Sequence, residues 1–250
     1  MRIWHNFHRY LGVIIGIQLL FWTLSGLIFS FSPIEKVRGE HLVRSQEPVD
    51  LSQYDWIPLQ NLELGRDENT PTLDLKLLDV KYRVLLDRPI YEITTNRSGT
   101  RRIELLDGLT GEPLAPIDVT LAKKIALNDF AEPTAVRSVE RVEQTGPHSE
   151  YRGRELPAYR VELDHDSGTV IYISESRGAV VTRRNTRWRW FDFFWMLHTM
   201  DYQGRDNFNH WPLQVASLFG VSTVVSGFGL FITRTRWFRR RRRRRNRAAV

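Results

Sequence analysis

The sequence predicts an α+β protein in which two transmembrane helices flank a periplasmic domain of repeated small antiparallel β-sheets with helices. Three observations predict it. Residues 11–31 and residues 211–232 contain no Asp, Glu, Lys or Arg. Basic residues flank both stretches on their terminal sides. The region between them alternates apolar and polar residues in two similar copies.

Each apolar stretch, at a rise of about 1.5 Å per residue, makes a helix of roughly 30 Å, the thickness of the hydrocarbon layer. The mean hydropathy of −0.36 hides them. Charge is just as uneven. All 29 acidic residues and 24 of the 36 basic ones lie in the middle region, from Glu35 to Asp206. Arg2 and Arg9 precede the first stretch, and ten arginines (234, 236, 239–245 and 247) follow the second. Positive flanks stay cytoplasmic, so both termini point inward and residues 32–210 are translocated across a bacterial inner membrane. Ten arginines beside a span also suit an anionic leaflet, at roughly 1 kcal/mol each.

Other readings fit less well. A secretory signal has an apolar core of about 7–15 residues and a small-residue cleavage site. Here the run is longer and ends Phe29-Ser30-Phe31-Ser32-Pro33. An arginine run can bind nucleic acid, but beside a span it reads as a topology signal, and nucleic acid is not an expected partner. Their length and lack of charge separate the two stretches from buried core helices. There is no cysteine, which excludes disulfides, thiolate-bound iron–sulfur clusters and CxxCH haem attachment.

The middle region repeats itself. Pro89, Tyr91 and Ile93, then Ser98-Gly99-Thr100, then Leu105-Leu106-Asp107 and Gly111, form one copy. Pro157, Tyr159 and Val161, then Ser167-Gly168-Thr169, then Tyr172-Ile173-Ser174 and Gly178, form the other. Each reads as two strands joined by a turn, with Tyr159, Val161 and Leu163 facing one way. Residues 119–130 place Leu121, Ile125, Ala126 and Leu127 near helical spacing, which gives each sheet a helix. Residues 46–71 are rich in Pro, Asn, Asp and Glu and read as irregular. Five segments are therefore expected. Residues 1–32 are the cytoplasmic N-terminus and first span, and 33–187 the periplasmic domain, with repeats at about 78–130 and 131–183. Residues 188–210 are an aromatic interfacial segment, 211–233 the second span, and 234–250 the cytoplasmic tail.

The two Tyr-bearing hairpins, the run His8-Arg9-Tyr10-Leu11-Gly12 opening a GxxxG-bearing first span, Ser25-Gly26 late in that span, and Leu197-His198 before the second resemble the PepSY-associated transmembrane family. The resemblance covers most of the chain. Larger relatives have four spans, so this chain looks like a minimal two-span form. The resemblance implies a link to iron uptake, because some members look like haem-containing reductases of ferric siderophores. Soluble PepSY repeats elsewhere look like inhibitory or chaperoning pieces of secreted peptidases. Fold alone does not carry either activity over.

Histidine is the residue type that bears on chemistry. His8 shares a helical face with Gly12, Ile15, Leu19, Trp22, Gly26 and Phe29. Glycines below a histidine leave room for a porphyrin, and haem iron commonly takes an imidazole. The same Gly12 and Gly16 form a GxxxG that packs helices without any cofactor. In a straight span His8 lies roughly 30 Å in depth from the outer histidines, so they cannot share one iron. A bis-histidine haem b then needs His8 paired across a partner subunit, or His198 and His210 meeting on the outer side. Residues 188–200, with Trp188, Trp190, Phe191, Phe193, Phe194 and Trp195, read as a helix lying in the outer interface. Aromatic anchoring alone explains that stretch.

His8, His198 and His210 are therefore the candidate haem or metal ligands. His41, His148 and His165 lack metal-ligand spacing, and His165 reads as solvated. No phosphate-binding loop, nucleophile elbow, HExxH or dinucleotide fingerprint occurs, so electrons would come from another protein.

Two functions follow as expectations. One is an accessory in iron- or haem-linked membrane electron transfer, similar to a ferric-siderophore reductase. The alternative is a non-enzymatic periplasmic binding or regulatory module anchored in the inner membrane. Small residues at Ser217, Gly220, Ser226, Gly227 and Gly229, with polar Gln18, Thr23, Gln214 and Thr223 in the spans, lead us to expect a homo-oligomer or a membrane-protein partner.

Overall fold

A computed structural model describes residues 2–45, 47–62, 64 and 75–234. The chain forms two compact units, Ile34–Arg189 on one hand and Met1–Pro33 with Trp190–Val250 on the other. The arginine tail from 235 onward lies outside the described residues, as do residues 46, 63 and 65–71 of the stretch read as irregular.

The helical unit contains α1 (Arg2–Phe31), most of α4 (Thr186–Thr199) and α5 (Trp211–Arg234). Both uncharged stretches are helical. Among the described residues, however, no helix is long and apolar enough to cross a membrane, so the two predicted spans are not established by the structure. Helix α1 stops where Ser32-Pro33 removes the next backbone donor. Where α1 meets α5, Gly220 faces the side chains of Leu19 and Trp22. Ile15, Ser25 and Ala216 are buried along the same packing face.

The Ile34–Arg189 unit begins with the short α2 (Ile34–Arg38) and holds two antiparallel sheets. The first is ordered β1 (Leu75–Leu85), β2 (Arg88–Arg97), β3 (Thr100–Asp107). The second is β4 (Val136–Val142), β5 (Ala158–Leu163), β6 (Val170–Ser174), β7 (Ala179–Arg184). The two repeat copies fall on the β2–β3 and β5–β6 pairs. Each sheet is larger than the two-strand reading, because β1, β4 and β7 extend the hairpins.

Side-chain alternation gives each strand two faces. On one face of the first sheet Ile90 and Leu105 join a core with Tyr159, Val161, Leu163, Ile171 and Ile173 of the second. On the other face Tyr91, Ile93 and Leu106 are covered by Trp56, Ile57, Leu62 and Leu64. The described part of the 46–71 stretch thus forms an apolar lid on that sheet, built with two single 3-10 turns. Its prolines and acids mark irregular backbone, while Trp56 and Ile57 do the covering.

The helix α3 (Val119–Asp129) corrects the expectation of one helix per sheet. It follows the first copy in sequence but packs its Ala122, Ile125 and Ala126 into the core against the second sheet. The second copy is followed by β7 and then α4, so no second helix lies on a sheet in this way. Helix α3 starts at Asp118, whose carboxylate accepts the Leu121 N–H at 2.7 Å. This satisfies one of the four N–H groups that a helix start leaves orphaned.

Asn185 caps α4 by accepting the Trp188 N–H at 2.7 Å, and its amide donates to the Lys36 carbonyl at 3.1 Å. Buried, it joins the first and last segments of the unit.

The hairpin turns set two glycine requirements. Ser98 and Gly99 both have positive φ in the two-residue β2–β3 turn, the geometry that matches strand twist. Gly178, at φ 58, also has no room, because an added Cβ would stand 2.8 Å from Ile117 Cδ1. At Gly99 that Cβ would meet nothing within 4 Å. Gly99→Ala is therefore expected to cost only the backbone term of about 1–2 kcal/mol. Gly178→Ala is expected to cost clearly more, since crowding the core adds to the same term. Urea unfolding of both variants in detergent checks the order.

Candidate functional site

The last turn of α4 leaves its final carbonyls without intrahelical partners, and such groups must be met elsewhere when buried. Here each of the last three is met by a side chain from α1 or from the start of α5. Gln18 Nε2 donates to the Leu197 carbonyl at 3.4 Å, and Trp22 Nε1 to the His198 carbonyl at 2.8 Å. His210 Nε2 donates to the Thr199 carbonyl at 3.0 Å. Met200, at φ 56, then takes the left-handed turn that ends the helix.

His198 sits at the centre of this arrangement. Its Nδ1 lies 2.7 Å from Ser25 Oγ. The single hydroxyl hydrogen of Ser25 points back into α1, where Oγ is 2.7 Å from the Phe21 carbonyl and 3.1 Å from that of Trp22. Two oxygens cannot stand that close without a hydrogen between them, so Ser25 donates to Phe21 and accepts from His198. The proton of a neutral His198 is therefore on Nδ1, and Nε2 carries a lone pair. Among the described residues no hydrogen-bond partner meets Nε2. The ring is half-buried, edge-on to Phe29 at 5.6 Å and 6.5 Å from Trp22. Phe29 in turn packs on Phe191 and Trp195. Metal-binding histidines are commonly fixed this way, with one nitrogen donating to a second group and the other open.

His210 is placed differently. Its Nε2–H is given to Thr199, and its Nδ1 accepts the Leu213 N–H at 3.4 Å as the cap of α5. Both ring nitrogens are spent, so His210 has no lone pair for a metal in this structure. The side chains of His5 and His8 lie outside the described residues. Among the described residues no group of three or more His, Asp or Glu side chains could hold a metal ion. His198 thus has one ring nitrogen open to a ligand among the described residues, and His210 has none.

The loop between α4 and α5 is organised by two acids that sequence reasoning passed over. Buried Asp192 pairs with Arg205, anchoring the loop to α4. Asp201 accepts the N–H groups of Gln203 at 3.3 Å, Gly204 at 3.0 Å and Asn207 at 2.9 Å. Burial alone would raise its carboxyl, but those backbone donors outweigh it and hold Asp201 below the usual carboxylate range. Asp201-x-x-Gly204 was the available hint, since Asp accepting from backbone two and three residues on is common turn chemistry.

Several polar residues of the helices also find partners inside the chain. Gln18 is accounted for above, Thr23 donates to the Leu19 carbonyl, and Thr223 to that of Phe219. These three therefore give no reason to expect a partner. By contrast, a Cβ added at Gly12 or Gly16 would meet nothing within 4 Å, so that glycine pair faces none of the described residues.

In the other unit the perturbed groups are structural. Burial, then Tyr82, pushes the Tyr91 phenol up to about 12, and its hydroxyl donates to the Ile57 carbonyl. Burial and then Glu150 push Tyr172 up to about 12 as well. Buried Glu92 is paired with Arg83, with Lys81 at 3.7 Å. His165 corrects its solvated reading. Its Nδ1 accepts from Ser167, its Nε2 donates to Glu132 at 2.9 Å, and its ring packs on Phe130.

The family model described as PepSY-associated TM region matches residues 5–249, and the chain belongs to that family. It is accordingly a membrane-associated PepSY protein. No curated protein and no solved structure matches it.

The geometry makes two predictions. Ser25→Ala leaves the His198 Nδ1–H without an acceptor, and is expected to cost about 1–3 kcal/mol by thermal unfolding in detergent. Asp201 has a lowered folded pKa, so its stabilisation is complete above the unfolded carboxylate pKa and is lost as pH falls through the lower folded value. Wild type should therefore lose more stability than Asp201→Asn between about pH 6 and about pH 2, read by melting temperature at each pH.

Proposed function

We propose that this protein is anchored in the bacterial inner membrane by α1 and α5, both termini inside, and serves iron- or haem-linked membrane electron transfer as an accessory. The observation that carries the reading is the Ser25–His198 pair, which leaves the His198 Nε2 lone pair available, so that His198 would hold haem b. The haem would supply one-electron chemistry. The chain's own residues would orient the ligand. Ser25 holds the imidazole tautomer, Trp22 and Gln18 hold the helix end that carries it, and Phe29 and Trp195 keep it away from bulk water. A second ligand would come from another subunit or a membrane-protein partner, which accords with the open Gly12 and Gly16 face. The uncharged stretches at 11–31 and 211–232 support the two spans, and the arginines support the orientation.

Absorption spectra of protein purified after expression with haem supplied, oxidised and dithionite-reduced, test this. A Soret band is expected in wild type and in His210→Ala, and its loss in His198→Ala. A wild-type protein without a Soret band would sink the proposal.

One observation favours a second reading, a non-enzymatic binding module. The described residues of the Ile34–Arg189 unit line a cavity of about 380 Å³.

A further inference from the structure

The turn between β5 and β6 brings a hydroxyl, an imidazole and a carboxylate together in series. Ser167 Oγ lies 2.8 Å from His165 Nδ1, and His165 Nε2 lies 2.9 Å from Glu132 Oε2. Where the ring hydrogen sits decides what this series can do. A carboxylate only accepts, so Nε2 carries a hydrogen toward Glu132. The Ser167 backbone N–H donates to Nδ1 at 3.2 Å, so Nδ1 carries a lone pair. The Ser167 hydroxyl hydrogen therefore points at Nδ1. Thr169 Oγ1, 2.6 Å from Ser167 Oγ, supplies the hydrogen between those two oxygens. A hydroxyl donating to a neutral imidazole, with a carboxylate behind the ring, is the arrangement of nucleophile, base and orienting group.

The surrounding backbone fixes all three. The Ser167 carbonyl accepts the Thr186 N–H at 3.0 Å, and the Gly168 carbonyl accepts from Arg189 Nη1 at 2.9 Å. Asp164 N–H donates to the Ala135 carbonyl at 2.8 Å, which ties the other side of the turn. Thr169 is buried beneath it. The His165 ring stands edge-on to Phe130 at 5.0 Å, and Phe130 is itself buried. Glu132 follows Ala131, whose N–H donates to the Leu42 carbonyl at 2.9 Å, so its backbone leaves from a held position. His165 and Ser167 are only half-buried, and Glu132 is exposed, so a solute can reach the series.

Charge narrows the substrate. Asp164, Asp166 and Glu132 surround the turn, while Arg137 is taken up by Asp164 and Glu162. Anionic surroundings repel an anionic substrate. We propose that Ser167 is an activated nucleophile that takes acyl groups from small uncharged carboxylic esters, with His165 as its base and Glu132 as a positioning residue. Oγ bonds to the ester carbonyl carbon while its proton passes to Nδ1. The bond from that carbon to the alcohol oxygen then breaks, and the leaving oxygen takes the proton from Nδ1. Water repeats the sequence on acyl-Ser167, giving a proton to Nδ1. Oγ recovers that proton as the carboxylic acid leaves. The site lies in the Ile34–Arg189 unit and owes nothing to His198 or to haem.

Two probes test this on the full-length protein in detergent. One is p-nitrophenyl acetate, followed by p-nitrophenolate release. The other is a fluorophosphonate, which bonds to a serine oxygen as fluoride leaves, with the labelled residue mapped by peptide mass spectrometry. The label is expected on Ser167. Ser167→Ala and His165→Gln are each expected to slow p-nitrophenolate release about a hundredfold, the low end of what a positioned base supplies. Glu132→Gln is expected to lower kcat about tenfold with KM unchanged, a split that a merely structural role would not produce. Unchanged melting temperatures certify that each variant is folded.

A wild-type protein whose Ser167 takes no fluorophosphonate would overturn the proposal without recourse to any variant. Release that persists in Ser167→Ala would overturn it too, since surface histidines would then account for the reaction. Indifference to His165→Gln or to Glu132→Gln would leave an ordinary surface serine, with the same result.

Discussion

Backbone polar groups that cannot reach water must be matched, and that constraint organises the helical unit. Helix α4 ends in an apolar neighbourhood with carbonyls at Leu197, His198 and Thr199, and donors from α1 and from the start of α5 match them. Trp22 and Gln18 are on α1 because their donors reach that end, and His210 is at the start of α5 for the same reason. The position and tautomer of His198 follow from this closure. An imidazole between a serine acceptor and an aromatic wall is held in one orientation, which is what a metal ligand requires and what a merely snorkelling histidine lacks.

The other unit answers the same constraint with sheets. Its strands bury both faces of β2, and the lid of Trp56 and Ile57 supplies the cover that a second helix would have given. Leaving β3 only partly covered is the departure. The segment after Pro113 pairs with β3 for two bonds and then leaves, so one stretch of ladder stays open beside an apolar cavity.

Much of this was legible in the sequence. Hairpin periodicity and the Ser-Gly-Thr turns located β2–β3 and β5–β6, and helical spacing located α3. Its sheet was not legible, because apolar periodicity says that a face is buried and not against what. Sequence reasoning singled out both histidines alike, and only geometry separates His198, with an open nitrogen, from His210, with none. Ser25 and Trp22 lie about 175 residues from His198, a distance over which no spacing rule operates. The acids of the α4–α5 loop went unread because Asp192 sits among aromatics whose anchoring role explained the stretch by itself.

Asn185 has a consequence for how the molecule comes together. Helix α1, ending at Phe31, and the end of α4, at Thr199, lie 199 − 31 = 168 residues apart, and bringing such distant segments together from a disordered chain costs conformational entropy that grows with the logarithm of the span. By joining Lys36 to the residue that starts α4, the folded Ile34–Arg189 unit shortens that excursion to a few residues at either end. Its folding therefore acts as an internal clamp between Lys36 and the start of α4.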